Sequence, residues 1–137
     1  MTCPTGSAAV KFTAHAPELF VADVAKACDF YSRKLGFRVV FTYGDPPYYG
    51  AVVRDAVTLN LRLICEPVFA GDVREREELL SATIIIGSAG DMRRLDADLA
   101  AAGAGFRERL TQKPWGALNV IVRDPDGNLI LFAGPGA

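Results

Sequence analysis

The residues able to do chemistry are few. The chain carries one histidine, His15, and three cysteines, Cys3, Cys28 and Cys65. An iron site of two histidines and one carboxylate cannot be built from one histidine within a single chain. No Cys-x-x-Cys pair, Ser-His-Asp constellation, glycine-rich phosphate loop or usefully spaced Cys-His pair occurs. What remains is recognition chemistry. Trp115 is the only tryptophan and follows Gln112-Lys113-Pro114 at a loop-to-strand junction. It either caps the edge of a core or stacks on a ligand, a role for which tryptophan is favoured. Tyr48 and Tyr49 hold the matching place in the first half, with the same two readings, and Phe41 reads as core or as part of the same surface. Glu18 stands in an otherwise apolar stretch, so it either faces water or meets a cation. His15 reads as a surface or sheet-edge residue without partners.

These side chains need elements to position them. A strand is expected from 12 to 21, followed by a helix capped by Asp23, whose carboxylate can accept from free first-turn N–H groups. Val24, Ala27, Cys28, Tyr31 and Leu35 recur at spacings of three and four, one apolar helix face. Gly36 stops it. Strands follow over 37–42, 48–54 and 57–65, broken by Gly44-Asp45-Pro46-Pro47 and by an Asp55-Ala56 turn. Residues 66–81 read as a solvated linker with a short helix, Arg74 and Glu78 lying at i,i+4 spacing. The pattern then restarts: a strand over 82–87, a helix capped by Asp91 with Met92, Leu95, Leu99 and Ala102 on one face, and strands over 106–110, 115–123 and 129–132. Asp124-Pro125-Asp126-Gly127-Asn128 is turn chemistry, since Pro fixes φ and Gly accepts the left-handed position. Arg54 with Asp55 and Arg123 with Asp124 are expected to brace the two turns.

Both halves read β-α-β-β-β, and their landmarks keep a near-constant spacing. Asp91 lies 68 residues beyond Asp23, Gly103 lies 67 beyond Gly36, and Val122-Arg123-Asp124 lies 69 beyond Val53-Arg54-Asp55. Repetition of one supersecondary unit implies two similar modules related by approximate two-fold symmetry. Strand alternation assigns faces. Leu19 and Val21 turn to the helix, leaving Glu18 and Phe20 for a cleft. Leu59, Leu61 and Leu63 turn inward, leaving Thr58, Asn60 and Arg62. In the last strand Leu129 and Leu131 face the cleft.

Composition sets the outer bounds. At 137 residues with half hydrophobic and 23% charged, the chain suits one globular domain. A net charge of −1 gives no electrostatic reason to expect nucleic acid or an anionic membrane. No apolar run approaches the roughly 18 residues of a membrane span. The first residues lack the basic and apolar segments of a secretory signal, and the odd, unpaired cysteines suit a reducing cytoplasm. Cys28 and Cys65 read as buried small hydrophobes and Cys3 as part of an unstructured tail.

Pro17-Glu18-Leu19-Phe20-Val21-Ala22-Asp23-Val24, then Phe30-Tyr31 and Leu35-Gly36-Phe37, resembles the first module of the vicinal oxygen chelate superfamily. That superfamily includes glyoxalase I, extradiol dioxygenases and bleomycin-resistance proteins. Lys113-Pro114-Trp115-Gly116 with Arg123-Asp124-Pro125-Asp126-Gly127-Asn128 is similar to the second module of the bleomycin-resistance branch. The resemblance implies an α+β fold of paired βαβββ modules whose curved mixed sheets form a cleft, and commonly a dimer. For the superfamily's enzymes it also implies a divalent metal held by His, Glu or Gln in that cleft. The positions it maps for those ligands are Ala16, Asn60, Ile84 and Leu131, none of them His, Glu or Asp. A one-residue slip would bring His15 to the first position, but would also turn Leu19 and Val21 away from the helix.

The sequence therefore predicts one domain over 12–134, with modules at about 12–65 and 82–134 and a linker over 66–81. It predicts a cytoplasmic homodimer that sequesters a small organic molecule, an aromatic or basic natural product such as an antibiotic, with no metal, cofactor or bond-making step. The ligand-binding residues expected are Glu18, Phe20, Phe41, Tyr48, Tyr49, Asn60, Arg62, Trp115 and Leu131. The competing expectation is a metal-dependent glyoxalase-like lyase, isomerase or dioxygenase.

Overall fold

The computed structural model describes residues 9–66 and 72–136. Among these residues, eight strands and three helices occur in the order β1 (Glu18–Val21), α1 (Val24–Leu35), β2 (Arg38–Gly44), β3 (Pro47–Arg54), β4 (Val57–Leu63), α2 (Val73–Arg76), β5 (Leu80–Ile85), α3 (Ala89–Ala101), β6 (Gly105–Gln112), β7 (Leu118–Arg123) and β8 (Leu129–Gly134). They form two four-stranded mixed sheets, ordered β1-β4-β3-β2 and β5-β8-β7-β6. In each, the first strand runs parallel to the last and the other pairs are antiparallel. This is the expected α+β architecture of two βαβββ modules. No helix among the described residues is long and apolar enough to cross a membrane.

Local chemistry explains the boundaries. The Asp23 carboxylate accepts from the Lys26 amide at 3.0 Å, starting α1. Gly36 ends it with φ 74°, a left-handed conformation that favours glycine. For α3 the cap is Ser88, not Asp91: the Ser88 hydroxyl accepts from the Asp91 amide at 3.1 Å. Asp91 instead lies in the first turn and pairs with Arg94. Both residues are good caps, and Ser88 prevails because Ala89 and Gly90 are already helical.

Three further expectations change. The first strand is four residues long rather than ten, because parallel pairing on β4 begins at Glu18 opposite Asn60. Toward the N-terminus the Pro17 carbonyl alone extends that ladder, accepting from the Asn60 amide at 3.0 Å. Trp115 precedes β7 instead of opening it, in a turn closed by the Gly116 amide donating to Lys113 and the Lys113 amide donating to Ala117, both 2.8 Å. Cys65 is exposed, whereas Cys28 is buried as expected, and Cys3 lies outside the described residues.

The core lies on the helix side of both sheets. Leu19, Val21, Val52, Leu59 and Leu61 close on Val24, Ala27 and Tyr31 of α1, and Val120, Val122, Ile130 and Phe132 close on Met92, Leu95 and Leu99 of α3. Each such side chain, when fully buried, contributes about 1.5–3 kcal/mol of transfer free energy.

The modules are joined at the β7–β8 turn. Asp124, buried, accepts from the Tyr31 hydroxyl at 2.8 Å, from the Asn128 side-chain amide at 2.8 Å, and from the backbone amides of Asp126 and Asn128 at 2.9 and 2.8 Å. Asn128 also donates to the Phe20 carbonyl at 3.0 Å, and Asp126 accepts from the Ala22 amide at 2.8 Å. Burial pushes the Tyr31 phenol well above its ordinary value, with the charge of Asp124 acting in the same direction. Burial also raises the Asp124 carboxyl, against the lowering effect of its hydrogen bonds from Asn128 and Tyr31.

The turn arginines are bracing residues: Arg54 pairs with its neighbouring Asp55 as expected, whereas Arg123 pairs with Glu75 rather than Asp124. Arg54 donates to the Leu35 carbonyl at 2.8 Å and lies 3.9 Å from Asp55. Arg123 pairs with Glu75 and donates to the Phe106 carbonyl.

Candidate functional site

The face of the first sheet turned away from α1 collects most of the residues singled out from sequence. Register puts Glu18, Asn60 and Ala51 in one row, and Phe20, Arg62 and Tyr49 in the next. On β2, Phe41 lies opposite Ala51 and Tyr43 opposite Tyr49. The buried helix-side positions Leu19, Val21, Leu59 and Leu61 fix the parity, so the slip that would bring His15 into line does not occur. His15 itself is exposed, ahead of β1.

Strict alternation from Arg38 would have turned Phe41 and Tyr43 to the helix side. A bulge between Val39 and Phe41 shifts the parity, two residues of β2 spanning one step of β3. The rings then cluster: Phe41 lies 5.0 Å from Tyr43 and 6.0 Å from Tyr49, centroid to centroid, in tilted geometry. Sequence reasoning missed Tyr43, although its position six residues before Tyr49, across a two-residue turn, made it a cross-strand neighbour.

Tyr49 donates its hydroxyl to Glu18, 3.2 and 3.4 Å from the two carboxylate oxygens. Lost hydration, then this hydrogen bond and the carboxylate charge, raise the Tyr49 phenol above its ordinary value of 10.0. A Glu18 carboxylate so held keeps oxygen lone pairs for a cation. The face is open: Glu18, Tyr43 and Arg62 are exposed, and Phe20, Phe41, Tyr49 and Asn60 are half-buried. It offers ring faces and edges for stacking, one acid, one base and one amide.

Three expected residues lie elsewhere. Tyr48 alternates with Tyr49 and so occupies the opposite face, against Gly44. Trp115 is 72% exposed beside the second sheet. Among the described residues no ring contact joins it to the aromatic cluster. Leu131 lies on the second sheet, opposite Ile121 and Thr83 and half-buried.

That second face is partly closed within the chain. Ile121 and Leu129 are 1% and 0% exposed, and α2 lies across their end. Arg123 donates to Glu75 at 2.9 Å, Arg107 lies 3.4 Å from the same carboxylate, and Arg74 donates to the Asp126 carbonyl at 3.2 Å. Ile84, mapped by the resemblance to a cleft position, instead points into the α3 core. Thr83 and Ile85 take the cleft side of β5.

The metal of the superfamily's enzymes can be tested on this donor set. Ala16, Asn60, Ile84 and Leu131 supply one amide oxygen between them. Among the described residues no group of three or more His, Cys, Asp or Glu could hold a metal ion. These residues do not fit a resident divalent metal.

Two paired βαβββ modules, each a four-stranded mixed sheet with a helix on one face, define the fold. The Glyoxalase/Bleomycin resistance protein/Dioxygenase superfamily profile matches residues 13–132, and the chain belongs to that superfamily. Among solved structures, the bleomycin-binding protein of bleomycin-producing Streptomyces verticillus, complexed with copper(II)-bleomycin, is 24% identical, with TM-score 0.69 over 94% of this chain and 100% of that one. TioX from Micromonospora sp. ML1 is 24% identical, with TM-score 0.68 over 90% and 99%. A superfamily member from Sphaerobacter thermophilus is 26% identical, with TM-score 0.63 over 90% and 98%. No curated protein matches the chain.

Proposed function

We propose that the chain binds and sequesters a small organic ligand, aromatic and basic in character, without transforming it. The observation that carries this reading is the cluster of Phe41, Tyr43 and Tyr49 beside Glu18 on an open sheet face. Stacking rings supply affinity for a planar group, and the carboxylate favours a cation. The structural likeness to a bleomycin-binding protein supports this class of ligand. The ligand-binding set is Glu18, Phe20, Phe41, Tyr49, Asn60 and Arg62, with Trp115 and Leu131 serving if a second copy brings its second sheet over the open face of the first. That arrangement makes the working unit a homodimer, and unpaired cysteines suit a cytoplasmic one.

The test is a titration with metal-free bleomycin, followed by Trp115 fluorescence and by calorimetry in chelator. Saturable binding is expected, with the ligand recovered chemically intact. Tyr49→Ala should weaken it roughly tenfold or more, and Glu18→Gln should remove any preference for basic analogues. A ligand recovered cleaved or rearranged, or binding and turnover that need a divalent ion, would instead establish the lyase, isomerase or dioxygenase reading. Sedimentation velocity decides the dimer.

A further inference from the structure

The two modules meet at two junctions related by the internal repeat, and only one of them is filled. At the first, the five-residue turn between β7 and β8 reaches α1 and the end of β1 through Asp124, Asp126 and Asn128. At the second, the turn between β3 and β4 has only Asp55 and Ala56. It is three residues shorter, and it leaves a cavity of about 430 Å³ between itself, the end of β5 and α3. That volume lies within the range of small-molecule sites. The floor is apolar, with Leu35, Phe37, Val57, Ile84, Leu95 and Phe132 contributing.

The rim carries two arginines and three aspartates. Arg54 is committed to the Leu35 carbonyl and Arg94 to Asp91. Asp98, on the α3 side, has no side-chain hydrogen bond or ion pair among the described residues, so the unspent charge is negative. We propose that this cavity is a second binding site, separate from the aromatic sheet face, for a small apolar organic molecule carrying one amine. The apolar body would lie on the floor and the ammonium group would meet Asp98. This assignment does not depend on what the sheet face binds.

The probe is phenethylamine, compared with 2-phenylethanol and 3-phenylpropionate by amide chemical-shift titration of the full chain. Saturable shifts are expected at Val57, Gly87 and Leu95, with the amine binding roughly two- to fivefold tighter than the alcohol, as an exposed ion pair allows, and the acid weakest. Asp98→Asn should abolish that preference while leaving alcohol binding unchanged. Gly87 lines the cavity, and a Cβ there meets no atom within 4 Å. Gly87→Leu should therefore occupy the space and remove these shifts. Ala56→Trp, from the opposite wall, should do the same if the first variant fails to fold. Shifts confined to Tyr49 and Asn60, no saturation, or a preference that survives Asp98→Asn would overturn the assignment.

Discussion

The two sheets share strand order and pairing but treat their outer faces in opposite ways. The first presents Phe20, Phe41, Tyr43 and Tyr49 to the outside with little over them. The second buries Ile121 and Leu129, with α2 tied across them by Glu75. A repeated unit thus supplies two identical platforms, and the connecting segment decides which one stays open. The lesson is that a duplicated fold can leave the outer face of one copy open and close that of the other.

Truncation on either face gives the sharpest contrast. Ile121→Ala should lower unfolding free energy by about 2–5 kcal/mol in urea melts, as a cavity in a closed face does, whereas Tyr43→Ala should cost within about 0.5 kcal/mol because its ring already meets water. Equal costs would erase the distinction between the faces. Asp124→Ala should destabilise by about 2–3 kcal/mol, because it strands the Tyr31 hydroxyl, the Asn128 side chain and two backbone amides in a buried junction. The smallest effect is expected for Glu75→Gln. Its carboxyl is held below its ordinary value of 4.5, first by the hydrogen bond from Arg123, but its side chain is 39% exposed, so screening limits the loss to under about 1 kcal/mol. A lowered folded-state pKa gives stability that is present above 4.5 and lost as pH falls through the folded value. Glu75→Gln should therefore flatten the acid side of the stability profile, an effect measurable by denaturant melts between pH 6 and pH 3. Asp96, lowered first by its bond from Arg109, contributes in the same sense at slightly lower pH.

Much of this was legible in the chain. Apolar spacing named the buried faces of both helices, and alternation placed Glu18, Phe20, Asn60 and Arg62 on one surface, because each depends only on local periodicity. The residues that escaped depend on pairing partners. Tyr43 reaches the cluster through a bulge, and Tyr48 leaves it by alternation with Tyr49. Ile84 faces inward because its place on β5 is set by pairing opposite Phe132, on the α3 side of β8. Ser88 and Asp91 compete for one cap, and only the observed helix start decides between them. The open first face was also outside the reach of sequence, since covering a sheet is a property of chain path.

The bulge in β2 has a consequence for descent. Deleting Val40 would restore alternation and leave Phe41 and Tyr43 opposite Ala51 and Tyr49 on the outer surface. A single in-frame codon loss would then remove the bulge while every strand kept its neighbours and Thr42 stayed on the helix side. In a lineage carrying this scaffold, the number of residues in β2, as well as their identity, sets which rings the outer face presents.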